Sequence, residues 1–225
     1  MIDLTHPIET GMQTFPDDPP VEVTQAASVN DDGYGVEAVE LGSHTGTHVD
    51  APAHVFADGQ TIDEYDVDRF VFDAVRVDCR DYTSRDAVGP EQIPRVDCDC
   101  VILHTGWDRH WGTDEYLDHP YLSPEAARVC RDRGFAVASD TLNPDPTPTP
   151  AATTDEPDGF PVHDILLGDD LLIVENLTNL AATPRRLTLL ASPLALTGDG
   201  APVRAVGVTE NDPIHSTVDH TTDEP

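Results

Sequence analysis

Three histidines and an aspartate crowd into one short stretch of this 225-residue chain, Ser43-His44-Thr45-Gly46-Thr47-His48-Val49-Asp50-Ala51-Pro52-Ala53-His54. Imidazole and carboxylate together suit Zn²⁺, Mn²⁺ or Fe²⁺. On an α-helix His44 and His48 share a face, but Asp50 points elsewhere. On a strand all three share a face, yet at about 3.3 Å per residue His44 and His48 lie roughly 13 Å apart. One ion cannot reach both. The chain must therefore curl, and Gly46 is the residue that permits a sharp or closely packed turn. Pro52 stiffens the exit and helps to aim His54. A solvated loop accounts for a single histidine; four potential ligands around one glycine favour a metal site.

A second cluster lies in His163-Asp164-Ile165-Leu166-Leu167-Gly168 and Leu171-Leu172-Ile173-Val174-Glu175-Asn176-Leu177-Thr178-Asn179-Leu180. Glu175 ends an apolar strand, where an acid needs a partner. His163 opens a short apolar turn closed by Gly168. Alone, this pair reads equally well as an exposed strand-end Glu and a capping His.

Charge sets the surroundings. Twelve basic residues, all Arg, face 43 acidic ones, for a net charge of −31. Such a field repels nucleic acid and anionic membranes. A 38% hydrophobic content arranged in recurring apolar runs favours a folded, acid-coated protein over disorder. Excess carboxylate without Lys reads as the surface of a protein from a halophile, because concentrated salt screens self-repulsion. The fold should therefore weaken as the Debye length grows from about 3 Å at 1 M to about 10 Å at 0.1 M. Thermal melts over a salt series test this; a melting temperature that does not rise with salt overturns it.

The start, Met1-Ile2-Asp3-Leu4, shows neither a basic nor an apolar leader. No run approaches the ~20 apolar residues of a membrane span. The expectation is a cytoplasmic protein. Cys98 and Cys100 would share a strand face, which leaves a Cys-based zinc site open, although buried reduced thiols suit Cys79, Cys98, Cys100 and Cys130 better.

Strands are expected at 70–79, 100–104, 135–139, 171–175, 187–191 and 203–208. A helix opens at Ser123-Pro124-Glu125 and stops at Gly134. These elements interleave, which predicts a mixed α/β domain with a β-rich core. One domain is expected over 1–210 and a flexible acidic tail over 211–225. Residues 143–160, with five prolines, read as an unstructured loop and a candidate lid.

Together these segments resemble the metal-dependent cyclase family, which includes bacterial kynurenine formamidases and isatin hydrolases. The family signature H-x-G-T-H-x-D-x-P-x-H is complete in His44 through His54. Asp3-Leu4-Thr5-His6-Pro7 matches its opening element, Phe15-Pro16-Asp17-Asp18 its aromatic-Pro-x-Asp element, and Glu175-Asn176-Leu177-Thr178-Asn179-Leu180 its downstream acid. Thr105-Gly106-Trp107 and Ser139-Asp140-Thr141 also look like family elements. The aromatic element is often Trp-Pro-Gly-Asp in the family; here Phe15 and Asp17 replace its Trp and Gly.

The resemblance implies a swivelling β/β/α fold and a homodimer or homotetramer. It implies a first ion on His44, His48 and Asp50, with Asp50 bridging to a second held by His163 and Glu175. One or two Zn²⁺ or Mn²⁺ ions per subunit follow. His54 becomes the acid/base residue, or a ligand. Phe15 and Trp107 are candidate substrate contacts, and Asp140 is a candidate carboxylate behind a ligand His. The implied reaction is hydrolysis of a small amide or ester, foremost N-formylkynurenine to kynurenine and formate. Alternatives are an isatin-hydrolase-like cyclic amide or lactone hydrolase, a cyclase, or a non-catalytic metal- or ligand-binding module. A small molecule is the expected partner, with neither nucleic acid nor membrane.

Overall fold

The run Cys100-Val101-Ile102-Leu103 lacks polar alternation, as a strand covered on both faces should. It forms the middle of a nine-stranded sheet. A computed structural model of the chain describes residues 1–209 and Asp212. The sheet comprises β1 (Ile2–Asp3), β2 (His48–Asp50), β3 (Val71–Asp78), β4 (Cys100–His104), β5 (Ala136–Ser139), β6 (Ile173–Glu175), β7 (Arg186–Leu190), β8 (Gly200–Pro202) and β9 (Val206–Val208). Their spatial order is β1-β9-β7-β3-β4-β5-β6-β2-β8. The four strands β3 to β6 run parallel, and both flanks are antiparallel.

Parallel neighbours need crossovers. Helix α1 (Pro124–Asp132) joins β4 to β5, and helix α2 (Pro161–Leu167) joins β5 to β6. The sequence starts and stops α1 as expected. Ser123 Oγ accepts from the Ala126 N–H, and Pro124 fills the first turn. Gly134 ends it at φ +71°, with the Phe135 N–H donating to Cys130 O and the Gly134 N–H to Arg131 O.

Val101, Leu103, Val137 and Ile173 face these helices and pack on Ala126, Ala127, Val162 and Leu166. Phe72, Ala74, Ile102 and Val174 face the other way, against Leu4, Leu180, Leu187 and Leu189. Ile102 is wholly buried, which stabilises the fold by roughly 1.5–3 kcal/mol. This is the expected α/β architecture with a β-rich core.

The stretch 203–208 is not one strand. It divides into β9 and a three-residue link after β8, and these two strands sit towards opposite ends of the sheet order. A link that short spans at most roughly 14 Å between Pro202 and Val206, so the sheet curls until its ends approach. Within the link, Val203 N–H donates to Thr47 O, while Ala205 O accepts from Leu4 N–H. Arg204 is exposed and pairs with Asp3.

Two further expectations are corrected. The turn expected from His163 to Gly168 is the latter part of α2, with Gly168 as its C-cap. Residues 143–160 lack regular structure but are not loose. Asn143, Asp145 and Thr147 are buried. Arg85 donates to Thr147 O, Thr149 Oγ1 and Glu156. Inward hydrogen bonds make 143–147 part of the core, whereas 150–155 and 158–160 are exposed at the surface.

All four cysteines are free and buried. Burial pushes the Cys79 and Cys130 thiols up to about 12, as expected of inert packing residues. Among the described residues no Cys joins a metal-binding group, and no helix is long and apolar enough to cross a membrane. The expected tail at 211–225 lies outside the described residues apart from Asp212.

Candidate metal centre and active site

Strand pairing assembles the site. β2 is antiparallel to β6, in a register that sets Glu175 opposite His48 and Ile173 opposite Asp50. Ahead of β2 the chain curls at Gly46, at φ +61°. A Cβ there would lie 2.9 Å from Met12 Cε. The curl brings His44 back over β8, where a Cβ on Gly200 would lie 2.6 Å from His44 Cε1. Glycine at 200 is therefore what lets the ring sit down on the sheet. His54 ends the helical turn Pro52–His54, and His163 lies on α2.

Hydrogen bonds fix which imidazole nitrogens are free. His48 Nδ1 lies 2.8 Å from Gly46 O, and His163 Nδ1 lies 2.8 Å from Asp145 Oδ2. Both Nδ1 atoms are thereby engaged, which leaves both Nε2 atoms facing inward. His48 Nε2 is 3.1 Å from Asp50 Oδ1 and 3.2 Å from Glu175 Oε2. His163 Nε2 is 3.3 Å from Glu175 Oε1 and 3.7 Å from Asp50 Oδ2. His44 is turned the other way, with Nδ1 2.7 Å from Asp50 Oδ1 and Nε2 3.0 Å from Asp199 Oδ2.

The centre is built for a cation. Burial opposes charge on His48 and His163, yet carboxylates hold both well above the usual imidazole range. For His48 these are Asp50 and Glu175; for His163 they are Asp145, Asp50 and Glu175. Burial likewise works against charge on His44, and Asp50 with Asp199 overrides it, raising that ring to about 9. Burial would raise Asp50, but His48 and His44 hold it well below the carboxylate range.

Three donor groups could hold a divalent ion: His44–His48–Asp50 and Asp50–His163–Glu175, which the signature implies, and His44–His54–Asp199 nearer the surface. Asp50 Oδ2 and Glu175 Oε1 are buried without a hydrogen-bond partner, a costly state that a bound cation relieves. Ligand atoms about 2.0–2.2 Å from a tetrahedral ion sit roughly 3.3–3.6 Å from one another. The His48 and His163 Nε2 contacts of 3.1–3.3 Å with the carboxylates are close to that spacing. The residues present fit the ions that the signature implies.

A cavity of about 210 Å³ opens on this centre, and His54, Phe15, Leu142 and Phe160 help to line it. His54 Nδ1 lies 3.3 Å from Asp199 Oδ2, which leaves Nε2 as the working nitrogen. Phe15 meets Phe160 edge-on, with centroids 6.0 Å apart. The turn bearing Phe15 is closed by Asp18 N–H donating to Phe15 O. Asp17 takes φ +72° within it, a left-handed conformation that explains why the family often has Gly there.

Trp107 does not reach the cavity. Its indole is buried with Tyr116 and Leu142 and donates to Glu115 O, so it supports the wall from behind. Asp140 touches no histidine; it accepts from Thr105 and Gly106. The carboxylate behind a candidate ligand is Asp145, which sequence reading missed. Asp199 and Phe160 were missed as well. Local spacing marks none of these three.

Paired His/carboxylate groups that could hold metal ions, beside a histidine at the cavity mouth on a curled α/β sheet, give the site the build of a hydrolase. The chain belongs to the cyclase family, whose model, described as putative cyclase, matches residues 2–146. A kynurenine formamidase of Salinibacter ruber is 32% identical over 213 residues, covering 92% of this chain and 96% of that relative. One of Bacillus cytotoxicus is 28% identical over 212 residues, covering 91% and 95%. Isatin hydrolase A of Labrenzia aggregata, bound to benzyl benzoate, shares the fold with a TM-score of 0.81 at 24% identity, covering 93% of each chain. A structure described as a potential metal-dependent hydrolase with cyclase activity superposes with a TM-score of 0.73 at 24% identity, covering 92% and 96%.

Proposed function

We propose that this chain is a metal-dependent arylformamidase that hydrolyses N-formylkynurenine to kynurenine and formate. The observation that carries the reading is the inward pair of Nε2 atoms on His48 and His163 beside the carboxylates of Asp50 and Glu175, whose Oδ2 and Oε1 are buried without a hydrogen-bond partner. Relatives called kynurenine formamidase along almost the whole chain support the substrate class. His44, His48 and Asp50 would hold one ion, and Asp50, His163 and Glu175 a second, with Zn²⁺ or Mn²⁺ the candidates. Bound there, such an ion supplies Lewis acidity and acidifies water.

The chain's own residues do the rest. Phe15 and Phe160 offer apolar edges to an aryl ring. Water adds to the formyl carbon, the C–N bond breaks, and formate and an aryl amine separate. His54 Nε2 takes the proton released by the water and delivers one to the departing nitrogen. Asp199 holds Nδ1 so that Nε2 stays aimed at the cavity. We read the working form as a cytoplasmic homodimer or homotetramer in concentrated salt.

The test is turnover in high salt with Zn²⁺ or Mn²⁺, offering N-formylkynurenine, isatin and a simple lactone. Release of formate from N-formylkynurenine, ahead of the other two, is expected. Preference for isatin or the lactone replaces the substrate assignment. No turnover of any by folded, metal-loaded protein overturns the hydrolase reading in favour of a binding module.

A further inference from the structure

Arginines are scarce here and carboxylates abundant, so each Arg has many possible partners. Six of the twelve form salt bridges: Arg80, Arg85, Arg128, Arg131, Arg186 and Arg204. Among the described residues the other six have no carboxylate within salt-bridge distance. Four of those six, Arg76, Arg95, Arg133 and Arg185, line a single cavity of about 860 Å³. It shares no lining residue with the metal-centre cavity.

The cluster is built rather than scattered. Arg76 on β3 and Arg185 just before β7 are joined by a backbone hydrogen bond of 2.7 Å. The Arg76 guanidinium is anchored by Nη1, 2.6 Å from Nδ1 of buried His104. Its Nε is buried with no hydrogen-bond partner, a donor left unsatisfied. Arg133 Nη1 donates to Pro94 O, which fixes that side chain while leaving its other nitrogens for a ligand. Arg133 alone is explained by its place at the negative end of α1; Arg76, Arg95 and Arg185 are not.

Two acids also border the cavity, Asp78 and Glu91. Asp78 is already neutralised by a two-pronged pair with Arg80, at 2.7 and 2.6 Å. Glu91 accepts from Tyr82. The remaining lining includes Ile93, Pro94 and Val129, an apolar wall.

We propose that this cavity binds the phosphoryl group of a small molecule. Guanidinium forks match phosphoryl oxygens in geometry and charge. The volume falls in the range of small-molecule sites, about 300–1,000 Å³, and exceeds what a bare phosphate fills. The apolar wall offers contact to an organic remainder. Since the net field of the protein repels anions, affinity comes from these local donors and survives the salt that screens long-range charge.

The experiment uses the full-length, metal-loaded protein at constant ionic strength, with inorganic phosphate, AMP and adenosine as probes. Calorimetry and thermal shift are the readouts. Saturable one-to-one binding of AMP or phosphate, with none for adenosine, is expected. AMP tighter than phosphate identifies a phosphorylated organic ligand; equal binding identifies the free anion. Arg95→Gln and Arg185→Gln are exposed positions and should each weaken binding about tenfold, as loss of one charge-assisted contact implies. Binding unaffected by both substitutions places the probe elsewhere and overturns the proposal. So does absence of binding. A change of oligomer size in these variants, without a phosphate response, makes the face an interface between copies instead. None of these outcomes depends on turnover at the metal centre.

Discussion

Asp50→Ala should lose bound metal and hydrolysis together. Asp50 belongs to two of the three donor groups. Its Oδ1 faces His44 and His48, and its Oδ2 faces His163. Glu175 also faces His48 and His163, but among the described residues Asp50 alone faces all three of His44, His48 and His163. Glu175→Gln, in contrast, should keep the ion at His44, His48 and Asp50 while weakening the other. Elemental analysis after dialysis, with circular dichroism to show that the fold persists, separates these outcomes. Metal retained in Asp50→Ala at the wild-type level would overturn the shared-ligand reading.

His54→Ala should keep much of its metal and lose about 10²–10⁴-fold in turnover, the usual worth of a positioned acid/base group. Its side chain is partly open at the cavity mouth, so truncation leaves no buried void. Asp199→Asn should cost less, about 10–100-fold, by loosening the rings it holds. Metal loss in His54→Ala would make this residue a ligand. Full activity would remove it from the mechanism. Turnover and metal content must be read on the same preparations.

The signature from His44 to His54 was legible because its residues are consecutive, so their spacing alone demanded a curl. Gly46 at positive φ supplies that curl. Strands β4 and β6 were legible because apolar runs covered on both faces show in local composition, and β3 because its residues alternate. Asp145, Asp199 and Phe160 were not. Asp199 meets His44 across 155 positions, a distance at which no periodicity carries information. Asp145 lay hidden in a proline-rich stretch whose composition resembles a loose loop, although its carboxylate accepts from both the backbone and the ring of His163. The run 203–208 misled because its apolar residues serve two different parts of one curled sheet.

That curl bears on how the protein stays dispersed. In concentrated salt the Debye length is only about 3 Å, so a charge of −31 gives little long-range repulsion between molecules. Salting-out conditions also strengthen apolar association. Under such conditions an open row of backbone donors and acceptors invites strand-to-strand aggregation. Here the edge strands are β1, with two residues, and β8, with three. Pro202 removes one donor from the second of these. With so little edge on offer, the nine-stranded sheet gives a foreign strand no template of useful length, which leaves the separate exposed hairpin of Glu22–Ala27 and Val36–Glu40 as the place where charge alone must keep molecules apart.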